Sequence, residues 1–302
     1  MEDEDEVVRF LKMAYDYGFR TFDVADAYSD GHAEILLGKF LQKCNIKRST
    51  VVIMTKVFNK VRDETIENAD YQDPYYWENN CGLSKKYILD AVDQSVRRLG
   101  TYIDVLQIHR LDKGTPKEEI METLNAVVKS GKTLYIGASS MRAVDFARMQ
   151  FIAERQGWAK FINMQNLYNL TYREEEREMI PFCEDTNVAI TPFSPLARGV
   201  LARPFGTETY RSQTDPDSIK FESTADEEIV KRIQSIAQKR AIPMAQVSLA
   251  WLLSKGAFPI VGLTNEERMK EALGALKVTL TKEEIQFLED PYVPKRVLGY
   301  DP

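Results

Sequence analysis

Three apolar, strand-like runs in the first third of the chain each end in an ionisable side chain. Phe19–Phe22 runs into Asp23, Val51–Thr55 into Lys56, and Asp104–Ile108 into His109, while Tyr28 follows Asp23 in a loop opened by small and polar residues. A carboxylate at the inner end of a strand needs a cation or hydrogen-bond donors, because burying it alone is costly. Lys56 is the candidate cation. A phenol titrates near pH ~10 and is a poor acid at neutral pH. A nearby ammonium favours the phenolate, and a carboxylate keeps that ammonium charged and aimed. The tyrosine can then give a proton to a carbonyl oxygen or take one from an alcohol, and a neighbouring histidine can orient the same oxygen. This is an arrangement for carbonyl polarisation, and it implies a hydride donor. Singly, each group has a plain structural explanation: a satisfied strand-end carboxylate, a solvated lysine, a core histidine. Their shared position at strand ends makes them a constellation. His32, in a polar loop before a helix, reads as a surface residue.

The elements that must position these groups alternate regularly. Apolar spacing predicts a first helix from the acidic N-terminus to about Tyr15, with Gly18 as its stop, and a second over Ala33–Cys44. After the strand Val51–Val57 comes a long connection, Phe58–Leu83, rich in Asp, Asn and aromatics. Helix Ser84–Leu99, strand Asp104–His109, helix Pro116–Lys129, strand Leu134–Ala138, a helix through Asp145–Arg155 and strand Phe161–Gln165 follow. Next are a helix over Arg173–Asp185, strand Val188–Phe193, and a second long connection, Leu196–Phe221. Helices Asp226–Lys239 and Met244–Ser254, strand Pro259–Gly262 and helix Glu266–Leu276 precede a short last helix capped by Thr281. Strand–helix alternation implies a parallel sheet with helices outside. About seven such units point to a TIM-type (β/α)8 barrel rather than a doubly wound sheet. No G-x-G-x-x-G follows a strand, which weakens a Rossmann reading. In a barrel, ionisable residues at the C-terminal ends of strands face one mouth, where catalysis occurs. Residues 1–302 are expected to form a single barrel domain.

The bulk composition narrows the partners. The chain has 302 residues, 44% hydrophobic and 28% charged, with a net charge of -6 that argues against a nucleic-acid or anionic-membrane surface. Cys44, Cys81 and Cys183 are scattered and show no C-x-x-C spacing, so they read as reduced thiols. Two histidines are too few for a histidine-rich metal site, and no apolar run approaches a membrane span. The acidic start is the reverse of a basic signal sequence, so a cytoplasmic location is expected.

Ordered motifs along the chain carry a family resemblance. They are Phe22-Asp23-Val24-Ala25-Asp26-Ala27-Tyr28, Met54-Thr55-Lys56, Leu106-Gln107-Ile108-His109-Arg110, Ile136-Gly137-Ala138-Ser139-Ser140, Gln165-Asn166, Phe193 to Gly199, and Ile260-Val261-Gly262. In this order and spacing the sequence resembles the aldo-keto reductase superfamily. The runs Leu106 to Asp112 and Ser194 to Gly199, with Asp290-Pro291-Tyr292 near the end, resemble its fungal aryl-alcohol dehydrogenase-like branch. The resemblance implies reduction of aldehydes or ketones by NADPH, with aryl or apolar aldehydes as substrates. It implies Tyr28 as proton donor, Lys56 as its partner, Asp23 as the lysine's counter-ion and His109 as the substrate-orienting group. Ser139, Ser140 and Gln165 would hold the nicotinamide carboxamide, and Phe193 would stack on the ring. Ser194, Pro195, Leu196, Ala197, Arg198 and Gly199 would form the pyrophosphate loop. Gly262, Thr264, Asn265, Arg268 and Glu271 would form the adenosine phosphate site, with Arg268 on the 2′-phosphate and Glu271 on the adenine amine.

This chain departs from the family pattern in places. Ser140 and Ala272 stand where asparagine is common, and Thr264 and Asn265 where some branches carry basic residues. Family members also begin with a hairpin and a first barrel strand that have no counterpart here. The strands ending at Asp23 and Gly262 are then expected to flank an open seam. Two other functions fit the sequence: a weakly active or non-catalytic nucleotide-binding or interaction subunit, and a Schiff-base lyase using Lys56. The complete tetrad favours the reductase, and borohydride trapping would separate it from the lyase.

Overall fold

The computed structural model describes residues 3–62, 70–207 and 224–300. The chain divides into two compact units, Met1–Met164 with Gly299–Pro302, and Gln165–Leu298.

In the first unit α1 (Glu4–Asp16) starts at Asp3, whose carboxylate accepts from the Asp5 N–H, and three acidic residues fill its first turn. That placement suits the positive end of the helix dipole. Gly18, at φ +104°, turns the chain out of the helix and into β1 (Thr21–Asp23). There follow α2 (His32–Lys43), β2 (Val52–Val57), α3 (Pro74–Glu78), α4 (Lys85–Leu99), β3 (Ile103–Ile108), α5 (Lys117–Lys129), β4 (Thr133–Ser139), α6 (Ala143–Gln156) and β5 (Phe161–Gln165). The strands run parallel, with Phe22 opposite Ile53, Met54 opposite Val105 and Leu106 opposite Ile136. Parallel neighbours need helical crossovers, and these bury both faces of the sheet. Ile53, Ile103, Ile108, Ile136 and Ala138 are accordingly inaccessible to solvent.

Gly137 has a specific reason to be glycine. A Cβ there would fall 1.8 Å from the Asn163 Oδ1, so only a bare backbone lets that amide reach Gln107 across the sheet.

The second unit holds α7 (Met179–Asp185), β6 (Ala189–Ile190), α8 (Thr224–Arg240), α9 (Met244–Ser254), α10 (Glu266–Gly274) and α11 (Lys282–Glu289). Trp251 on α9 is fully buried, with its ring 5.2 Å from Tyr168 and its indole N–H donating to Glu289 at 2.7 Å. Thr281 and Glu284 form the expected reciprocal cap of α11. The segment after α11 is tied down by polar contacts. Tyr292 donates to Glu174 at 2.6 Å, Lys295 pairs with Asp226 at 2.7 Å, and the Leu298 N–H donates to the Tyr172 hydroxyl.

The structure corrects several expectations. The connection Phe58–Leu83 is not structureless: Asp73 caps α3, with Pro74 at its first position. The expected helix Arg173–Asp185 is broken into a 3-10 turn, Glu174–Arg177, and α7, because Glu178 at φ −143° leaves the helical region. Strand Val188–Phe193 shrinks to β6 plus a single parallel bridge between Leu167 and Phe193. No regular strand forms at Pro259–Gly262, but the Phe258 and Ile260 amides donate to Ile190 and Pro192, which makes a two-rung ladder. Helix Glu266–Leu276 gives way to a 3-10 turn at Ala275. Residues 63–69 and 208–221 of the two long connections lie outside the described residues. Among the described residues no helix is long and apolar enough to cross a membrane, and no acidic, histidine or cysteine cluster could hold a metal ion.

Candidate active site

The four groups singled out by their strand-end positions come together in the first unit. β1 ends at Asp23 and β2 carries Lys56 one residue before its end, in adjacent parallel strands. The Lys56 ammonium, whose side chain has no exposure, lies 2.5 Å from the Asp23 carboxylate and 2.9 Å from the Val24 carbonyl oxygen. Its third direction points at the Tyr28 hydroxyl, 3.4 Å away. Three donors thus meet three acceptors, which satisfies a buried ammonium. The backbone fixes the pair as well, since the Asp26 N–H donates to the Lys56 carbonyl at 3.1 Å. Tyr28 is 42% exposed, so its hydroxyl stays within reach of a small molecule.

His109 follows the last residue of β3, and its N–H donates to the Val57 carbonyl of β2. Its ring stands edge-on to Tyr28, with centroids 5.9 Å apart. Burial pushes the His109 imidazole down to about 3, and the Lys56 and Arg110 cations push the same way, so the ring is neutral at physiological pH. The Asn59 amide nitrogen lies 3.0 Å from Nδ1. An amide nitrogen only donates, so Nδ1 accepts and the ring proton sits on Nε2. Nε2–H is then a donor available to a substrate oxygen.

Beneath this cluster runs a polar chain that the motif reading did not single out. The Gln107 amide donates to Asp23 at 3.0 Å, and Asn163 donates to Gln107 at 2.9 Å. Both are buried, and they fix the second oxygen of Asp23 so that the first faces Lys56. The signal that could have found them is their inward position on strands of otherwise apolar pattern. Ser139 closes β4, Ser140 follows it at φ +38°, and both are buried. His32 is exposed, as expected.

The remaining candidate residues belong to the second unit. Gln165 ends β5 and is buried. Asn166 beside it is 1% exposed, and neither its amide nitrogen nor its amide oxygen has a hydrogen-bond partner among the described residues. Buried amides are ordinarily satisfied, so an amide without partners here stands out. Phe193 is held next to it through its N–H on the Asn166 carbonyl at 2.9 Å. From Ser194 the backbone coils tightly. Ser194, Ala197, Arg198 and Gly199 all have positive φ, Ala197 donates back to Ser194, and Gly199 donates back to Leu196. The Asn169 side chain holds the Ser194 carbonyl at 3.0 Å. A turn of this kind, running from Pro195 and Leu196 through left-handed residues, is the backbone form found in anion-binding concavities. Farther on, Gly262 and Thr264 are exposed and lead to α10, where the Asn265 side chain accepts from the Arg268 N–H. The exposed Arg268 guanidinium donates to the Thr264 hydroxyl at 2.8 Å. Burial, then the Glu267 charge, raise the Glu271 carboxyl, against the pull of Arg268 and Arg203.

Known proteins carry the same arrangement of sequence. A versiconal hemiacetal acetate reductase of Aspergillus parasiticus is 52% identical over 97% of this chain and 89% of its own. An aryl-alcohol dehydrogenase-like protein of Schizosaccharomyces pombe is 49% identical over 99% of this chain and 88% of its own. Among solved structures, a thermostable aldo-keto reductase determined with the inhibitor epalrestat superposes with a TM-score of 0.73 over 96% of this chain and 88% of that one. At 24% identity that likeness speaks for the fold, which is the (β/α) barrel type. The model of the aldo/keto reductase family matches residues 2–291. With the family model spanning nearly the whole chain and relatives near half identical, this protein belongs to the aldo/keto reductase family and is an oxidoreductase of aldehydes and ketones.

Proposed function

We propose that this chain reduces aldehydes with NADPH, Tyr28 giving the proton, and that aryl or apolar aldehydes are its substrates. The observation that carries this reading is the Lys56 ammonium, held by Asp23 and Val24 with its free direction on the Tyr28 hydroxyl. A substrate carbonyl in front of Tyr28 would accept hydrogen bonds from the phenol and from the His109 Nε2–H, which polarise it. When bound, NADPH supplies the hydride to the carbonyl carbon. As negative charge grows on the oxygen, the Tyr28 proton moves to it. The phenolate left behind is stabilised by Lys56, and solvent returns the proton.

The residues fit such a cofactor. The unpartnered Asn166 amide, with Gln165, suits a carboxamide, Phe193 offers an aromatic face, and the Ser194–Gly199 turn suits a pyrophosphate. Ser139 and Ser140 add hydroxyls. Thr264, Asn265 and Arg268 at the start of α10 would take the adenosine phosphate, and Glu271 the adenine amine. The aromatic cluster after β2 supports an aryl substrate. Trp77 stacks on Tyr71 at 5.8 Å. The aryl-alcohol dehydrogenase-like relative points the same way.

Titrating NADPH fluorescence with the purified chain, and then following NADPH oxidation with a nitrobenzaldehyde, tests the reading. Saturable quenching and turnover are expected. Binding without turnover of any aryl aldehyde would instead support an interaction or nucleotide-binding role.

A further inference from the structure

Beside Asp26 the first unit contains a cavity of about 340 Å³ whose lining includes none of Asp23, Tyr28, Lys56 and His109. Asp26, Val61, Tyr87 and Ala91 are its buried lining, Tyr76 forms a side wall, and the exposed Lys86 and Asp90 stand at its rim. Asp26 is 1% exposed, and neither of its carboxyl oxygens has a partner of hydrogen-bond geometry among the described residues. A buried carboxyl left in this state costs stability unless something else completes it.

The surrounding charges show what is missing. Lys56, on β2, is committed to Asp23 at 2.5 Å. Arg98, on α4, is committed to Glu34 of α2 at 2.7 Å, and the Glu34 second oxygen takes the Thr55 hydroxyl. Asp26 and Glu34 therefore share one guanidinium, and Glu34 has it. Tyr87 is no donor to Asp26 either, because its hydroxyl gives its proton to the Asn59 carbonyl at 2.5 Å. At the rim Lys86 and Asp90 offset each other. With Arg98, which also lines the cavity, paired to Glu34, Asp26 has no cation of its own, and Tyr76 and Tyr87 share its cavity. A carboxylate beside aromatic faces is the chemistry that binds organic ammonium ions. The volume holds a ring and a short arm rather than a bare ion.

We propose that this cavity is a binding site for a small organic ammonium ion, with Asp26 as its counter-ion and Tyr76 and Tyr87 against its apolar part. Two chains of hydrogen bonds join this cavity to the Lys56 and His109 side of the unit. The Asp26 N–H holds the Lys56 carbonyl, and Tyr87 holds Asn59, whose side chain holds the His109 imidazole. Desolvation, with the Glu34 charge, holds the empty Asp26 carboxyl well above the ordinary carboxylate range. The adjoining Ala27 backbone N–H, then Arg98 and Lys56, oppose that shift, while Tyr76, Tyr87, Lys86 and Asp90 are the other titratable groups of the lining. Binding a cation must ionise Asp26, so affinity should rise with pH.

Isothermal titration of the full chain with benzylamine at pH 8 tests this, with phenylacetate as the opposite charge. Saturable one-site binding of benzylamine alone is expected, weakening at least tenfold between pH 8 and pH 5, a range in which benzylamine stays protonated. Asp26→Asn should weaken it at least tenfold. Ala91→Leu, which fills the cavity from α4, should abolish it while leaving the NADPH fluorescence titration unchanged, and it serves even if Asp26→Asn misfolds. Absence of saturable binding, equal binding of phenylacetate, or retention of benzylamine affinity in Ala91→Leu would overturn the proposal.

Discussion

At the scale of single residues, the proposed chemistry turns on which atom of each group is left free. Lys56 spends two of its three donors on Asp23 and Val24, so only the third is available to the phenol. His109 spends Nδ1 on Asn59, so only Nε2–H is left for a substrate. Replacing Tyr28 with Phe keeps the ring but removes the transferable proton. Turnover should fall by about 10²–10⁴-fold, the usual worth of a positioned general acid, with NADPH affinity nearly unchanged. Stopped-flow reduction of an aryl aldehyde beside a fluorescence titration checks both halves, and a Phe variant of near-normal rate would remove Tyr28 from the role. The imidazole makes a separate prediction. With His109 pushed down to about 3 by burial first and by Lys56 and Arg110 second, it carries no charge change between pH 5 and pH 8. Its NMR shifts should be constant over that range, and kcat/KM should show no limb from histidine ionisation. A titration step near pH 6.5 in the His109 resonances would mean that the ring is better solvated than its surroundings imply.

At the scale of elements, α10 carries the most exposed of the proposed contacts. Arg268 lies on its first turn, with the guanidinium against Thr264 rather than a carboxylate, so its charge is available to an anion. Arg268→Ala should weaken NADPH by roughly 1.5–3 kcal/mol, the range for hydrogen bonds to charged groups, and leave NADH almost untouched. Equal losses for the two cofactors would move the 2′-phosphate contact elsewhere. Which elements were legible in the sequence follows from where their signals lie. Phe161–Gln165 and Met244–Ser254 match their expected bounds, and Ser84 and Thr281 cap helices as their sequence positions imply, because these signals are local. The grouping of Asp23, Tyr28, Lys56 and His109 was legible for the same reason: each member ends or follows an apolar run. The break at Glu178 had a local signal that the expected helix passed over: residues 173–178 are all charged, and Pro181 suits the first turn of a helix, where α7 has it. The ladder at Phe258 and Ile260 was visible only as a short apolar run, because its bonds depend on residues far back in the chain. Gln107 stands in the Leu106–Arg110 run without a role of its own and Asn163 in no motif, and their role appears only when β3 and β5, with β4 between them, link Asn163 through Gln107 to Asp23.

At the scale of the whole molecule, buried carboxyls of opposite tendency set how stability responds to pH. Burial works against ionisation at Asp112, Asp145, Glu174 and Glu289, yet hydrogen bonds and neighbouring cations outweigh it and hold each below the ordinary carboxylate range. At Glu284 the Arg240 hydrogen bond leads the same shift. A group with a lowered folded-state pKa takes up its proton more readily when unfolded. Its contribution is therefore present above about pH 4 and is lost as pH falls through the folded value. Thermal unfolding should accordingly move to lower temperature from pH 7 toward pH 3, in both units, since Asp112 and Asp145 lie in the first and the three glutamates in the second. Asp26 has the opposite sign. Its carboxyl is raised, chiefly by desolvation, so the folded state holds the proton longer and stability is lost as pH rises from the unfolded value toward the folded one. Asn has the shape of a protonated Asp and cannot ionise. Without any amine present, Asp26→Asn should match the parent near pH 3.5 and exceed it increasingly toward pH 8, as read from melting temperatures or urea midpoints across that range. A difference that does not vary with pH, or one that favours the parent at pH 8, would mean that Asp26 has a counter-charge in the folded chain, and the pH dependence expected for its cavity would go with it.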